Sequence, residues 1–362
     1  MKKIIAIVVT IITLSMSVML IIGPKKEFSY NENRFLAKFP KISVSNILSG
    51  KFMSQLETYI SDNFPLRENL LGVKSRTYKT LGVYKQSDVY YGIDNKLYQE
   101  YKKPINSERI VRRINKFKDK VDSKVYFMLA PTSIYINNNK ISKYNNSYDE
   151  GKTIDYYKEN LSVNFIDIRS SLNSNKDDYL YYGTDHHWTT RGANVAYIDF
   201  CNSVGLVPNK YTYSKVNDKF YGTLYSKLLD NSLKHDYIEI INDNTNYKVY
   251  YDDTKITINS LYSYKYLNEK DKYSFFLDNN HSLIKIENLD IQNDDSILII
   301  KDSYANSFIP FIGPHYKNIY VIDPRYYNLS ISEFVTENNI KNILFIYNVL
   351  TIDDDLGIVS VR

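Results

Sequence analysis

The chain has 362 residues, 43% of them hydrophobic and 24% charged, enough to bury one large core or two ordinary ones. Its net charge of +5 comes from lysines scattered along the chain instead of gathered into a stripe, which sets nucleic-acid binding aside. A single cysteine, Cys201, excludes an internal disulfide and any thiolate metal cluster; it lies in an apolar helical pattern that suits a buried, inert thiol.

Met1-Lys2-Lys3 precedes an uncharged apolar run, residues 4–22, and Gly-Pro-Lys-Lys follows. The run is long enough to span a bilayer and lacks a small-residue cleavage site. It predicts an uncleaved signal anchor over residues 1–26 that holds the rest of the chain outside the cell membrane. Lys25 and Lys26 weigh against that orientation, since positive charge favours the cytoplasmic side.

Residues 27–43 are polar and proline-punctuated and suit a linker. Helical spacing follows over 45–60 (Ile47, Leu48, Phe52, Leu56, Ile60), and again over 66–82 after Asp62-Asn63-Phe64-Pro65, with Gly82 as the C′ stop. Residues 89–92 and 96–98 flank Ile93-Asp94-Asn95 as a hairpin would. These elements form an N-terminal region, 27–105.

From residue 106 helical and strand patterns alternate. Predicted helices cover 108–121, 148–161 and 190–204, the last followed by Gly205. Further helices start near 305 and 332. Apolar strands are predicted at 125–130, 163–168, 296–300, 319–322 and 343–347. Short apolar strands between helices signify a parallel α/β sheet covered on both faces, here over 106–350, with a tail at 351–362. Residues 206–293 are polar and tyrosine-rich, with strand-like alternation over 247–258, and suit an insertion at the domain edge. Tyrosine numbers 36 in all; its rings stack well on sugars, although the bias alone decides nothing.

Sites in such sheets gather beyond the carboxyl ends of the strands. The stretch 183–192, Gly-Thr-Asp-His-His-Trp-Thr-Thr-Arg-Gly, holds two of the five histidines and the only tryptophan. A strand-like run, 178–182, leads into it. Asp185 and His187, two apart in an extended chain, can form the hydrogen bond that orients a general base, and Ser303, after the strand at 296–300, is a nucleophile for that base. A helix starting after Ser303 would turn backbone N–H groups towards a developing oxyanion. Tyr304, Asn348 and Arg325 are the candidates for oxyanion or substrate contacts. Each has a plainer reading: Ser303 as a helix N-cap, Asn348 and Asp323-Pro324 as turns, Arg325 as an exposed charge. His235, His281 and His315 are read as surface or structural, and Trp188 as packing beneath the site.

Three motifs together resemble the DHHW family: Phe64-Pro65-x-Arg67, Asp185-His186-His187-Trp188, and Asp302-Ser303-Tyr304 with Asp323-x-Arg325-Tyr326-Tyr327. That family is similar to the SGNH-hydrolase-like polysaccharide O-acetyltransferases of the alginate O-acetyltransferase type. The resemblance covers roughly residues 30–350. It implies an SGNH-like α/β fold with circularly permuted motif order, because ordinary SGNH hydrolases place the serine motif first. It implies Asp185 as acid, His187 as base, Ser303 as nucleophile and His186 as a variable position, with no cofactor and no metal. It further implies acetyl transfer on or off an exported polysaccharide, with a multi-spanning membrane O-acyltransferase as acetyl donor. No Gly-Asp-Ser-Leu block is present, so the motif does not locate the oxyanion glycine. Two rivals stand beside this expectation. Asp-His-His is also the signature of metal-dependent phosphoesterases, which need further aspartates such as Asp302 and Asp323. A catalytically inactive glycan-binding or scaffold protein of an export complex would also suit the tyrosine content.

Overall fold

Val125 to Ala130 is an unbroken apolar run stopped by Pro131, and it forms a strand whose side chains are buried on both faces. The structure, a computed structural model, describes residues 2–354 and 357–362. Its main sheet has eight strands: β1 (Lys124–Ala130), β2 (Asn164–Ile166), β3 (Tyr247–Tyr251), β4 (Ile256–Ile258), β5 (Leu283–Asn288), β6 (Ser296–Lys301), β7 (Asn318–Ile322) and β8 (Asn342–Asn348). They lie in the order β4-β3-β5-β7-β6-β8-β1-β2. The five from β7 to β2 are parallel to one another, and β5, β3 and β4 extend the sheet by antiparallel pairing. The sheet is therefore mostly, not wholly, parallel.

The parallel strands are covered on both sides, as continuous apolar runs require. In β1, Val125, Phe127 and Leu129 enter one core with Ile110, Ile114, Phe117 and Tyr157. Tyr126, Met128 and Ala130 enter the other, with Tyr197, Phe200 and Cys201. The covering helices are Ser107–Lys118, Glu150–Asn160 and Thr190–Val204, close to the predicted spans. Val89–Tyr91 and Leu97–Gln99 pair as the expected hairpin.

Three sequence expectations are corrected. Residues 247–258 do form strands, but β3 and β5 continue the main sheet; the rest of 206–293 includes a separate ribbon, Tyr213–Phe220 with Asp236–Ile241. Residues 178–182 are not a sheet strand: only Tyr181 bridges, to Trp188. No regular helix starts at 305 either. Ser303–Ser307 is a 3-10 turn and Ile309–Ile312 a single helical turn, interrupted by Pro310 and Gly313-Pro314.

The chain divides into two compact units, Met1–Ser87 with Tyr225–Leu233, and Asp88–Leu224 with Lys234–Arg362. In the first, Lys2–Ile22 is one helix, long and apolar enough to cross a membrane and with no buried residue. The helical pattern at 45–60 splits into Val44–Leu48 and Lys51–Asp62, because Gly50 takes φ 74° between them. Arg67 of the Phe-Pro-x-Arg motif opens the helix Arg67–Thr80 and pairs with Glu32 at 2.5 Å. Arg34 grips Asp62 at 2.6 and 2.9 Å and holds that carboxyl below the usual range.

Candidate active site

Three parallel strands end at one edge of the second unit, and two side chains, Asp302 and Asn348, tie them together. The Asp302 carboxylate, just past β6, accepts from the Tyr304 N–H (2.9 Å), the Asn348 N–H at the end of β8 (2.8 Å) and the Thr351 hydroxyl. The Asn348 amide bridges on to the Ala130 carbonyl at the end of β1 (3.0 Å) and accepts from the Leu350 N–H (2.9 Å). Asn348 is wholly buried and fastens the strand ends. Its side-chain carbonyl and an amide hydrogen are engaged in the scaffold, which favours the turn reading over an oxyanion donor.

Asp302, rather than Ser303, is thus the residue that caps the following turn. The Ser303 hydroxyl is free of that duty and lies 2.8 Å from Nε2 of His187. Nδ1 of His187 is 2.6 Å from Oδ1 of Asp185. The three side chains meet although Asp185 and Ser303 lie far apart in sequence.

The 185–187 pair is held by a turn rather than by the extended chain that the spacing suggested. Asp185 Oδ1 accepts from the His187 backbone N–H (2.9 Å) as well as facing its ring, which closes an Asx-type turn. Oδ2 accepts from the Thr223 N–H (2.8 Å) and hydroxyl (3.0 Å). A Cβ at Gly222 would collide with Asp185, its Cγ only 2.6 Å away, so the chain passes here because residue 222 has no side chain. Burial opposes ionisation of Asp185, yet the His186 and His187 rings and the bonds from His187 and Thr223 hold its carboxyl far below the usual range.

Beneath this turn, Asp236 accepts from the Gly183 N–H (2.7 Å), the Thr184 N–H (2.8 Å), the Thr184 hydroxyl (2.5 Å) and the Tyr179 hydroxyl (2.7 Å). Thr189 then caps the helix Thr190–Val204 through its hydroxyl. Trp188 is fully buried between the two halves of the site, donating its Nε1–H to the Tyr304 carbonyl (2.8 Å). Tyr304 is fully buried as well, and its hydroxyl donates to the His186 carbonyl. It is a strut between the serine turn and the histidine turn, where sequence reading placed a substrate contact.

Arg325 grips Asp323 (2.8 and 2.5 Å) at the end of β7, which makes it an ion pair of the turn. Lys301, unremarked in the sequence, is wholly buried, donates to Asn280 (2.6 Å) and Asn306 (2.8 Å), and is pulled down to about 8 by burial. Of the remaining histidines, His281 bonds Asp253 at 2.8 Å and His315 meets the Tyr197 hydroxyl at 2.6 Å, both structural pairings.

Sequence reasoning missed Tyr273 altogether. Its ring lies parallel to the His187 imidazole (9° between planes, centroids 3.7 Å apart), and its hydroxyl donates to the Ser303 carbonyl (3.0 Å). Gly222, Thr223 and Asp236 were missed too. All four sit in the tyrosine-rich 206–293 segment, where no periodicity points to a site.

Asp185, His186 and His187 bring three potential metal-ligand atoms within 4.8 Å of one another. They fit a two-metal phosphoesterase poorly. The His187–Asp185 contact at 2.6 Å and the Ser303 contact occupy both nitrogens of His187, and His186 Nδ1 lies 2.6 Å from the Thr223 hydroxyl. Asp302 and Asp323, the further carboxylates such a site needs, are engaged by backbone N–H groups and by Arg325.

The profile of the DHHW family (DHHW protein) matches residues 80–322, two thirds of the chain. The chain belongs to the DHHW family. Among solved structures it is similar to a DHHW family protein from Eubacterium siraeum DSM 15702, with a TM-score of 0.68 and 24% identity over 76% of this chain and 97% of that one. It is also similar to Bacillus cereus PatB1, solved with a sulfonyl adduct, with a TM-score of 0.63 and 21% identity over 76% and 98% of the two chains. At these identities the likeness shows a shared fold. No curated protein matches the sequence. The family match takes in the Asp-His-His-Trp turn and Ser303, and leaves Arg67 and Asn348 outside it.

Proposed function

We propose that this DHHW protein is a serine acyltransferase or esterase that moves acetyl groups on or off an exported cell-surface polysaccharide. The observation that carries the reading is the continuous chain from Asp185 through His187 to Ser303, at 2.6 and 2.8 Å. With its Nδ1 proton held by Asp185, His187 presents Nε2 as the acceptor for the serine proton. Ser303 Oγ then attacks the acetyl carbonyl while His187 takes its proton, and His187 returns that proton to the departing oxygen. An acyl-serine remains. A sugar hydroxyl, deprotonated by the same imidazole, attacks it, the bond from the acyl carbon to Ser303 Oγ breaks, and the imidazolium returns the proton to that oxygen; water in that place makes the reaction hydrolysis.

The negative oxygen of each tetrahedral intermediate needs donors. The Tyr304 and Ala305 N–H groups bond to Asp302, but the Ser303 N–H takes no acceptor among the described residues and is available. The helix Lys2–Ile22 fits a membrane anchor, which would hold the catalytic unit outside the cell beside a multi-spanning O-acyltransferase supplying acetyl.

The test is acetyl transfer from an activated acetyl ester to oligosaccharides of the cell envelope, with and without a chelator. Ser303-dependent acetylation or deacetylation that survives the chelator supports the reading. Chelator-sensitive phosphodiester cleavage would replace it, and glycan binding with no acetyl chemistry would make the protein a scaffold.

A further inference from the structure

His187 is buried and must carry a positive charge for part of each half-reaction. The groups packed around it decide how readily it takes the serine proton. Its ring edge faces Asp185 at 2.6 Å and Ser303 at 2.8 Å. Rings face it from three residues: His186 at 3.8 Å, Tyr304 at 5.3 Å, and Tyr273 at 3.7 Å and nearly parallel. His186 is tilted by 38° to the ring and repels it when it is itself charged. Tyr304 is farther away and tilted by 42°. Only Tyr273 offers a flat aromatic face at contact distance.

The face of a phenol ring carries the negative lobe of its quadrupole. A parallel stack of two neutral rings gains little from it electrostatically, whereas a cation over that face is attracted. The contact therefore strengthens as His187 becomes charged, which is the condition for lowering a barrier instead of merely holding a ground state. The same side chain reaches the nucleophile's backbone, because its hydroxyl donates to the Ser303 carbonyl and lies 3.1 Å from the Ser307 hydroxyl. Phe276 and Tyr182 pack against the Tyr273 ring, at 5.3 and 6.3 Å between centroids, and fix its plane.

We propose that Tyr273 is a positioning residue of the acyl-transfer site, which stabilises the imidazolium of His187 through its ring face and registers Ser303 against that ring through its hydroxyl. This rests on the serine mechanism above, and its test separates the two. Tyr273→Phe keeps the ring face and removes the hydroxyl; the same variant with its ring perfluorinated keeps the shape and abolishes the negative lobe. Ser303 labelling by a small sulfonyl fluoride is followed in full-length protein. In that reaction the Oγ–S bond forms, the S–F bond breaks, fluoride leaves and His187 takes the proton.

The Phe variant, which loses the hydroxyl's hold on the Ser303 carbonyl, is expected to label a few-fold more slowly than the wild type, and labelling at the wild-type rate would overturn the registering role of the hydroxyl. The perfluorinated ring is expected to label roughly 2- to 30-fold more slowly than the Phe variant, the range that cation–ring contacts span. NMR titration of the His187 ring, carried out in a Ser303→Ala background, gives a readout independent of catalysis. Its midpoint is expected to fall on fluorination, with Asp185, His186 and Tyr304 unchanged around it. An unmoved midpoint together with equal labelling of the two rings overturns the role of Tyr273. A wild type whose Ser303 does not label overturns the serine mechanism instead, while the titration still decides the ring contact.

Discussion

Replacing Gly222 with alanine tests whether Asp185 works only where it is. A Cβ built at residue 222 lies 2.6 Å from Asp185 Cγ and closer still to its Cβ and Oδ2. Carbon atoms rest at about 3.5–4.0 Å, so the carboxylate or the 222–223 chain must retreat by about 1 Å. Either movement breaks the Thr223 N–H bond (2.8 Å) or opens the His187 contact (2.6 Å). A 1 Å misplacement near the chemistry lowers rates by about 10²-fold, and loss of the orienting carboxylate's function by about 10⁴-fold. Turnover of an activated acetyl ester by Gly222→Ala should therefore fall between those limits. The overpacking should also reduce stability by about 1–3 kcal/mol, which leaves the protein folded. Trp188, the only tryptophan and fully buried, reports that directly through its fluorescence. A variant with native fluorescence and undiminished turnover would refute the claim that Asp185 orients His187.

Ser303→Ala and His187→Ala should each abolish esterase turnover, and the double variant should be little worse, because the groups act as one unit. Asp236→Asn should weaken the 183–188 turn, since four donors converge on that carboxylate and an amide would turn its own N–H groups on some of them. A loss of about 1–3 kcal/mol in urea unfolding is expected. Glu150 is fully buried, and burial raises it from 4.5 to about 7 although the Thr132 N–H and hydroxyl bond to it. A group raised in the folded state contributes stability that is present below its unfolded value and lost as pH rises through its folded one. Unfolding stability should thus decline between pH 4.5 and about 7, by up to roughly 3 kcal/mol, and Glu150→Gln should lack that decline.

The parallel strands were legible because apolar runs such as Val125–Ala130 and Ile297–Ile300 are bounded by Pro131 and by polar turns. Asp185, His187 and Ser303 were legible as candidates because few residue types can serve as orienting acid, base and nucleophile, and the structure brings the three side chains together. How they are held was not. Asp302 and Ser303 are equally good caps in sequence, and only the tertiary contact of Asp302 with Asn348 and Thr351 decides between them. Asn348 and Tyr304 look like site residues because polar groups at strand ends are often catalytic; here the same position serves to tie strands and turns together. Tyr273 is one tyrosine among 36, and stacking on His187 leaves no mark on its neighbours in sequence. The antiparallel strands β3 and β5 alternate buried and exposed residues, unlike the apolar parallel ones, and so read as a separate piece.

The most direct measurement is to quench full-length protein with acid a short time after adding an activated acetyl ester, and to map the modified peptides by mass spectrometry. One acetyl group on Ser303 is expected, absent in Ser303→Ala and in His187→Ala, and discharged when an oligosaccharide acceptor or water is given time to react. An unmodified Ser303 under conditions where the protein turns the ester over, or an acetyl group that persists unchanged in His187→Ala, would contradict the acyl-serine mechanism.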